Sequence, residues 1–490
     1  MKYRPDRAEA LNMAAEGSYD ILPVSCELLS DFITPIEAMR ILKGVSTHCY
    51  LLESAVANEK WGHYTFLGYD PKLEITCKDG KMQIGEEVFT TEDPSFHLRE
   101  LLAEYRSPRF EYLPSFTGGL VGYFAFDYLC YSEPTVRRDI SDPDLFKDLD
   151  LMLFDKVIAF DNVRQKLILI ANMRTENAED EYDRAVKELA AMAELLKNGR
   201  KSDEQPGRLL GEVKPLFDRE SYCAMVEKGK HHIKEGDIFQ IVLSNQLSAP
   251  FEGSLLNTYR VLRTINPSPY MFYFAGTDVE VAGASPETLV KLEDGLLRTF
   301  PLAGTRKRGA TEEEDRKLEA ELLADEKELA EHNMLVDLGR NDLGKISAFG
   351  SVEVEKYHSI ERYSHVMHIG STVRGTIRKD KDALDAIEAV LPAGTLSGAP
   401  KIRACQLIEE LENSRRGIYG GAVGYIDFTG NMDTCIAIRL VFQKNGKVFV
   451  QSGAGIVADS VPEKEYEECL NKAKASLHAL ELAEEEEGVR

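Results

Sequence analysis

Two pairs of carboxylates with one spacing are the residues of this 490-residue chain best suited to hold a cation. Glu328 and Glu331 stand three apart in EKELAEHNMLVDLGRND (326–342), and Glu465 and Glu468 repeat the interval near the C-terminus. On a helix, side chains at i and i+3 share a face, with Cβ atoms about 5–6 Å apart. Each pair therefore holds like charges side by side, which is unfavourable unless the face is solvated or a cation sits between the oxygens. One pair alone reads as a wet helix face. Two helices that each offer such a pair could enclose a hard divalent ion with oxygen ligands only. Mg²⁺ suits that donor set, because it takes one or two carboxylates, keeps waters and accepts oxygens from a substrate.

The segments between the two pairs suit a small anion. PAGTLSGAP (392–400) and QSGAGI (451–456) are glycine-rich, with few side chains to keep backbone N–H groups from a carboxylate. Arg439 lies in CIAIRLVF, read as one apolar strand, where a guanidinium requires a carboxylate partner. A structural salt bridge satisfies that requirement as well as a substrate does. His368, in VMHIGS, also sits in an apolar strand, where a lone histidine is more often a satisfied core residue than a catalyst.

The elements that must position these groups carry their own signals. Thr311 with Glu314 forms a capping box ahead of the first pair, and Leu318, Leu322, Leu329 and Val336 follow at near-helical spacing. Ser460 with Glu463 forms another ahead of the second, with Pro462 where a first-turn proline is tolerated, and the spacing predicts a final helix from about 462 to 487. Short apolar strands are expected at HCYLLES (48–54), WGHYTFLGYDP (61–71), LMLFDKVIAFD and KLILIAN, with an amphipathic helix over AEDEYDRAVKELAAMAELLKN. Glycines inside the apolar run PSFTGGLVGYFAFDY (114–128) mark either a tightly packed sheet corner or a ligand pocket. Strands joined by short turns and interrupted by single helices do not make a regular βαβ series, so the expected class is α+β with large, mostly antiparallel sheets. The polar stretch NGRKSDEQPGRLLGEVKP (198–215) is the best linker signal and divides the chain into 1–210 and 211–490.

Composition removes several function classes. The chain carries 59 basic and 83 acidic side chains, a formal charge of −24, which repels nucleic acid and anionic membrane. No basic patch of useful size offsets it. Eight cysteines are scattered without a CxxC, which disfavours zinc and a disulfide framework and fits reduced thiols. No apolar signal core or membrane-length run is present, so a cytoplasmic protein without a nucleic-acid or membrane partner is expected.

GDIFQIVLS, SPE, PLAGTRKRG, KELAEHNMLVDLGRND, YSHVMH, PAGTLSGAPK, RGIYGGAVGY, IAIR and GAGIVADSVPEKEYEE occur in that order. Together they resemble the chorismate-utilising enzymes, and within them the anthranilate synthase component I family, over nearly the whole chain. The resemblance implies antiparallel sheets packed as a sandwich with helices outside, a regulatory N-terminal region and a catalytic C-terminal one. It implies Mg²⁺-dependent attack of ammonia on chorismate at ring C2 with loss of the 4-hydroxyl, then elimination of pyruvate to leave anthranilate. By motif, Glu331 and Glu468 resemble the metal carboxylates, with Glu328 and Glu465 as the outer or water-mediated pair. Glu287 of SPE resembles the general acid, and His368 the histidine of the lyase step. Thr395, Tyr419 and Arg439, the PLAGT residues Ala303, Gly304 and Thr305, and backbone at Gly453, Ala454 and Gly455 resemble the substrate site. Glu53 and Ser54 of LLES, with Pro269, Tyr270 and Met271 of NPSPYMFY, resemble a tryptophan feedback site.

Two positions separate this family from its relatives. Gln240 stands where isochorismate and salicylate synthases resemble each other in carrying a lysine that activates water. Ala303 stands where aminodeoxychorismate synthase, the nearest rival, has the lysine of PIKGT. A rival of another kind is a non-catalytic tryptophan- or metal-binding regulator, which would have lost acidic residues that this chain keeps. No nucleophilic-cysteine signature of a glutamine amidotransferase is present, so the resemblance implies a heteromer in which a separate glutaminase subunit supplies ammonia.

Overall fold

The computed structural model describes residues 1–55, 63–136, 140, 142–362 and 366–485. Trp61 and Gly62 of the aromatic strand motif, Tyr363, Ser364 and His365 of YSHVMH, and Glu486 and Glu487 of the acidic tail lie outside the described residues.

Two large antiparallel sheets face each other, in agreement with the expected α+β class. The first runs from the N-terminal strands through Ile21–Leu29, Lys166–Arg174, Lys156–Asp161, Tyr64–Tyr69 and Cys49–Glu53. It continues through Tyr270–Ala275, Glu280–Ser285, Leu440–Lys444, Lys447–Ile456 and Gln240–Glu252. The second runs from Leu302–Lys307 through Val366–Thr376, Leu296–Thr299, Thr288–Glu293, Met432–Ile436 and Ala422–Asp427. It goes on through Gly119–Phe124, Leu149–Phe154 and Leu73–Lys78 to two short edge strands. Phe272, Phe274 and Val281 of the first sheet share one buried cluster with Leu120, Leu151, Val290 and Ile426 of the second. The other face of the first sheet is covered by helices, Tyr182, Leu189 and Met192 of Ala178–Asn198 among them.

Both sheets run across the linker at 198–215. In the first, Cys49–Glu53 pairs with Tyr270–Ala275, Glu53 opposite Met271. In the second, Gly119–Phe124 pairs with Ala422–Asp427. Residues 1–210 and 211–490 thus share two ladders, and the linker itself adds two short strands to the edge of Gln240–Glu252.

The glycines of PSFTGGLVGYF serve this packing. A Cβ at Gly119 would lie 2.0 Å from the Ile426 carbonyl oxygen and one at Gly122 2.1 Å from that of Asp150. Close packing between strands is therefore what these glycines serve, since no side chain fits there.

The central helix is Glu326–Gly344. Thr311 caps a separate preceding helix, Glu312–Leu323, by accepting from the Glu314 N–H at 3.2 Å. The chain then breaks and restarts, with the Asp325 carboxylate accepting from the Lys327 and Glu328 N–H groups. The first glutamate pair therefore lies in the opening turns of its helix. The final helix is Pro462–Glu485, packed against Lys447–Ile456 and Leu256–Ile265.

Candidate active site

CIAIRLVF is not one strand. Met432–Ile436 belongs to the second sheet and Leu440–Lys444 to the first, and the chain crosses between them at Ala437–Arg439. Arg439 has φ +51°, a left-handed conformation that costs a side-chain-bearing residue about 1–3 kcal/mol. Its side chain is exposed to a cleft. The enclosed carboxylate partner inferred from an apolar strand is not required, because the strand ends three residues earlier.

Glu287 sits at the matching crossover. Glu280–Ser285 pairs with Leu440–Lys444 in the first sheet, and Thr288–Glu293 pairs with Met432–Ile436 in the second. Pro286 and Glu287 span the gap beside Ala437–Arg439. Two backbone hydrogen bonds stitch the crossovers together: Ile436 N–H donates to the Glu287 carbonyl at 3.0 Å, and Ala284 N–H to that of Arg439 at 3.1 Å. The acid and the arginine are thus held side by side where the two sheets exchange strands.

These crossovers form one wall of a cleft of about 750 Å³. Lining it are Glu287, Ala303, Gly304, Thr305, His368, Thr395, Tyr419, Arg439, Gly453 and Gly455, together with all four glutamates, Glu328, Glu331, Glu465 and Glu468. The structure brings together every substrate, acid and metal candidate but one. Ala454 alternates to the opposite face of its strand, where it is fully buried with Leu243, Ala404 and Ile456.

Glu287 is partly open to the cleft but otherwise surrounded by protein, and burial raises its carboxyl to about 7. The Thr395 hydroxyl and, at longer range, Arg439 and Lys472 oppose that rise. Thr395 Oγ1 is buried beside Glu287, and among the described residues it makes no other hydrogen bond.

His368 lies within Val366–Thr376, and its Nδ1 is 2.9 Å from the Gly304 carbonyl and 3.2 Å from Thr305 Oγ1. A carbonyl can only accept, so Nδ1 carries the proton and Nε2 the lone pair. Burial holds the ring below the usual histidine range. Gly304 and Thr305 can reach the ring because the ladder slips register between Ala303 and Arg306.

Opposite, the opening turns of two helices present the acidic pairs. Glu331 is raised above the ordinary carboxylate range by burial, then by Glu328, with a smaller push from Glu468. Glu465 is raised by burial and by Glu468. Two neighbours already carry cations: Lys472 Nζ lies 2.8 Å from Glu468, and Arg306 3.5 Å from Glu328. Among the described residues no three ligating side chains form a ready-made cage. The donor set still fits a hard cation: carboxylates of two helices face one cleft, and their mutual repulsion is what positive charge would relieve.

Lys327 and Lys472 also line the cleft and were not singled out by sequence. Lys472 donates to the Gly453 carbonyl at 3.1 Å. The signal was its place one helical turn after Glu468, a spacing that pairs opposite charges. The glycines of QSGAGI keep the floor open. A Cβ at Gly455 would meet Gln240 Nε2 at 2.9 Å, and one at Gly453 the Tyr419 hydroxyl at 3.1 Å.

Glu53, Ser54, Pro269, Tyr270 and Met271 line a second, smaller cavity of about 140 Å³ at the join of the two halves, with Tyr64, Phe66, Tyr425, Lys291 and Asp433. Glu53 accepts from Tyr259 at 2.6 Å and Arg263 at 3.1 Å.

The model of the chorismate binding enzyme family matches residues 47–478. The chain is 46% identical to anthranilate synthase component 1 of Aquifex aeolicus, across 96% of each chain. It is 44% identical to that of Pseudomonas aeruginosa, across 98% of this chain and 99% of the relative. The crystal structure of anthranilate synthase component I from Streptococcus pneumoniae superposes with a TM-score of 0.77 at 37% identity, over 92% of this chain and 98% of that one. The isochorismate synthase MenF of Escherichia coli shares the fold, with a TM-score of 0.71 at 19% identity.

Proposed function

This chain belongs to the chorismate-binding enzymes, and from that premise we propose that its cleft performs the anthranilate synthase component 1 reaction, chorismate and ammonia to anthranilate and pyruvate. The observation that carries this reading is the convergence on one cleft of Glu287, Thr395, His368, Arg439 and both glutamate pairs.

Arg439, Tyr419, Thr395 and the backbone at Gly453 to Gly455 bind the substrate carboxylates. Glu287 protonates the departing C4 hydroxyl, which leaves as water while ammonia bonds to C2. A carboxyl held near 7 keeps that proton at neutral pH and can still give it up. His368 Nε2 then accepts the C2 proton as the ring aromatises. The C3–O bond breaks, and the enolpyruvyl group gains a proton at its methylene carbon and departs as pyruvate. Glu331 and Glu468, with Glu328 and Glu465 around them, would hold Mg²⁺, which when bound would supply positive charge to the ring carboxylate.

Ammonia attacks without prior deprotonation, in keeping with a neutral amide, Gln240, at the position where related synthases activate water. Ala303 places no amine beside C2, which favours anthranilate over a non-aromatic amino product. As a component 1, the chain works with a partner component, for which we infer a glutamine amidotransferase that releases ammonia. The smaller cavity, aromatic with charges of both signs, suits an aromatic amino acid, and we assign it to tryptophan acting as a feedback inhibitor. The test is product fluorescence after mixing protein, chorismate, ammonium and Mg²⁺. Fluorescent anthranilate with a requirement for Mg²⁺ is expected. A non-fluorescent amino product, or turnover indifferent to EDTA, overturns the reading.

A further inference from the structure

The two cavities are one hydrogen bond apart. Tyr270 lies in Tyr270–Ala275 of the first sheet and forms part of the wall of the smaller cavity. Its hydroxyl is 2.8 Å from Asp433 Oδ1, which lines the same cavity, and 2.9 Å from Thr288 Oγ1. A phenol has one proton, and a carboxylate can only accept, so the Tyr270 proton goes to Asp433. Thr288 must then donate to the Tyr270 oxygen. That bond spans the two sheets, because Thr288 opens Thr288–Glu293 of the second. The residue before it is Glu287.

We propose that Thr288 is a positioning residue for the acid Glu287, and that it transmits occupancy of the smaller cavity to the active cleft. Glu287 belongs to no strand and is fixed by its neighbours. Its N–H donates to Ser285 Oγ at 3.3 Å, and its carbonyl accepts from Ile436. On its C-terminal side the anchor is Thr288, opposite Cys435 just before a register shift. Tyr270 and Cys435, the two partners of Thr288, both line the smaller cavity, whereas Thr288 does not. A ligand that displaces the Tyr270 ring, or competes for Asp433, draws on the donor bond of Thr288 and shifts the peptide that aims the carboxyl. An element with contacts to both sites is a physical means of coupling them.

The regulatory half of this inference rests on the assignment of the smaller cavity to tryptophan, and the experiment separates the two. Thr288→Val removes the hydroxyl at nearly constant volume, and Thr288→Ser keeps it. For each, kcat and KM are measured with chorismate and ammonium, alongside tryptophan binding by calorimetry and inhibition by assay. Thr288→Val is expected to lower kcat about two- to tenfold, the size of one hydrogen bond, with KM for chorismate little changed. Tryptophan should still bind it, but inhibit several-fold less per molecule bound. Thr288→Ser should restore both. Loss of folded protein alone would lower the active fraction without separating binding from inhibition, and serine would not restore the ratio. Parental kcat and parental inhibition in Thr288→Val overturn the proposal. Failure of tryptophan to bind the parent protein overturns the cavity assignment and the transmission with it, leaving kcat in valine and serine to decide the positioning role.

Discussion

The two cavities sit on either side of the same crossovers and differ in how their charges are settled. In the smaller one, charge is answered by protein: Glu53 is held by Tyr259 and Arg263, and Asp433 by Tyr270. In the larger one it is met only in part: Lys472 reaches Glu468 and Arg306 reaches Glu328, while burial and then like-charged neighbours still push Glu331 and Glu465 upward. The contrast separates two kinds of site. A cavity that is electrostatically complete can take a ligand by shape and ring contacts and give it up readily. A cleft with unmet charge is built around species that arrive from outside, here a cation and a polyanionic substrate.

The contrast can be broken most sharply at Glu287. Glu287→Gln keeps the shape and removes the acid, so kcat should fall about 10²- to 10⁴-fold, as followed by anthranilate fluorescence. A smaller loss would mean that another group protonates the leaving hydroxyl. Next come Glu331→Gln and Glu468→Gln across a Mg²⁺ titration. Each should need at least about tenfold more Mg²⁺ for half-maximal rate, as expected when a carboxylate is lost from a metal site. Titration curves that overlay the parent would show that the acidic wall is only a solvated helix face.

Smaller effects sharpen the other side. Ser54→Phe places a ring inside the cavity of about 140 Å³, and should raise the tryptophan concentration for half inhibition roughly tenfold or more by steric exclusion. Unchanged inhibition would move the effector elsewhere. The mildest probe is pH. Glu287 works in its protonated form, and its carboxyl lies at about 7, so the acid is lost as pH rises through that value. Going from pH 7 to 8 should lower kcat/KM roughly fivefold, a limb that Glu287→Gln abolishes.

Much of this was legible in the residues. Glycine-rich loops, the i, i+3 carboxylates and the cap at Thr311 are local features, and local chemistry decides them. The α+β class followed from strand lengths and turn signals for the same reason. Arg439 was misread because apolar residues on both sides of it look identical whether one strand continues or two strands meet. That the Ala454 side chain turns away from the cleft between Gly453 and Gly455 was not legible, because alternation along a strand depends on which face is the cleft, and a one-residue choice inverts it. Lys472 escaped notice because an i+4 lysine after a glutamate is ordinary on any helix.

By itself, the amino-acid sequence determined which groups this protein has available, namely an acid, a histidine, an arginine, four glutamates and glycine-rich backbone, and the family they mark. Only the tertiary structure decided that Glu287 and Arg439 stand together, since that depends on two strands leaving one sheet for the other at the same level. The same is true of the Tyr270–Thr288 contact between the cavities. Such placements are set by the packing of ladders whose partners lie hundreds of residues apart, and no local propensity encodes them.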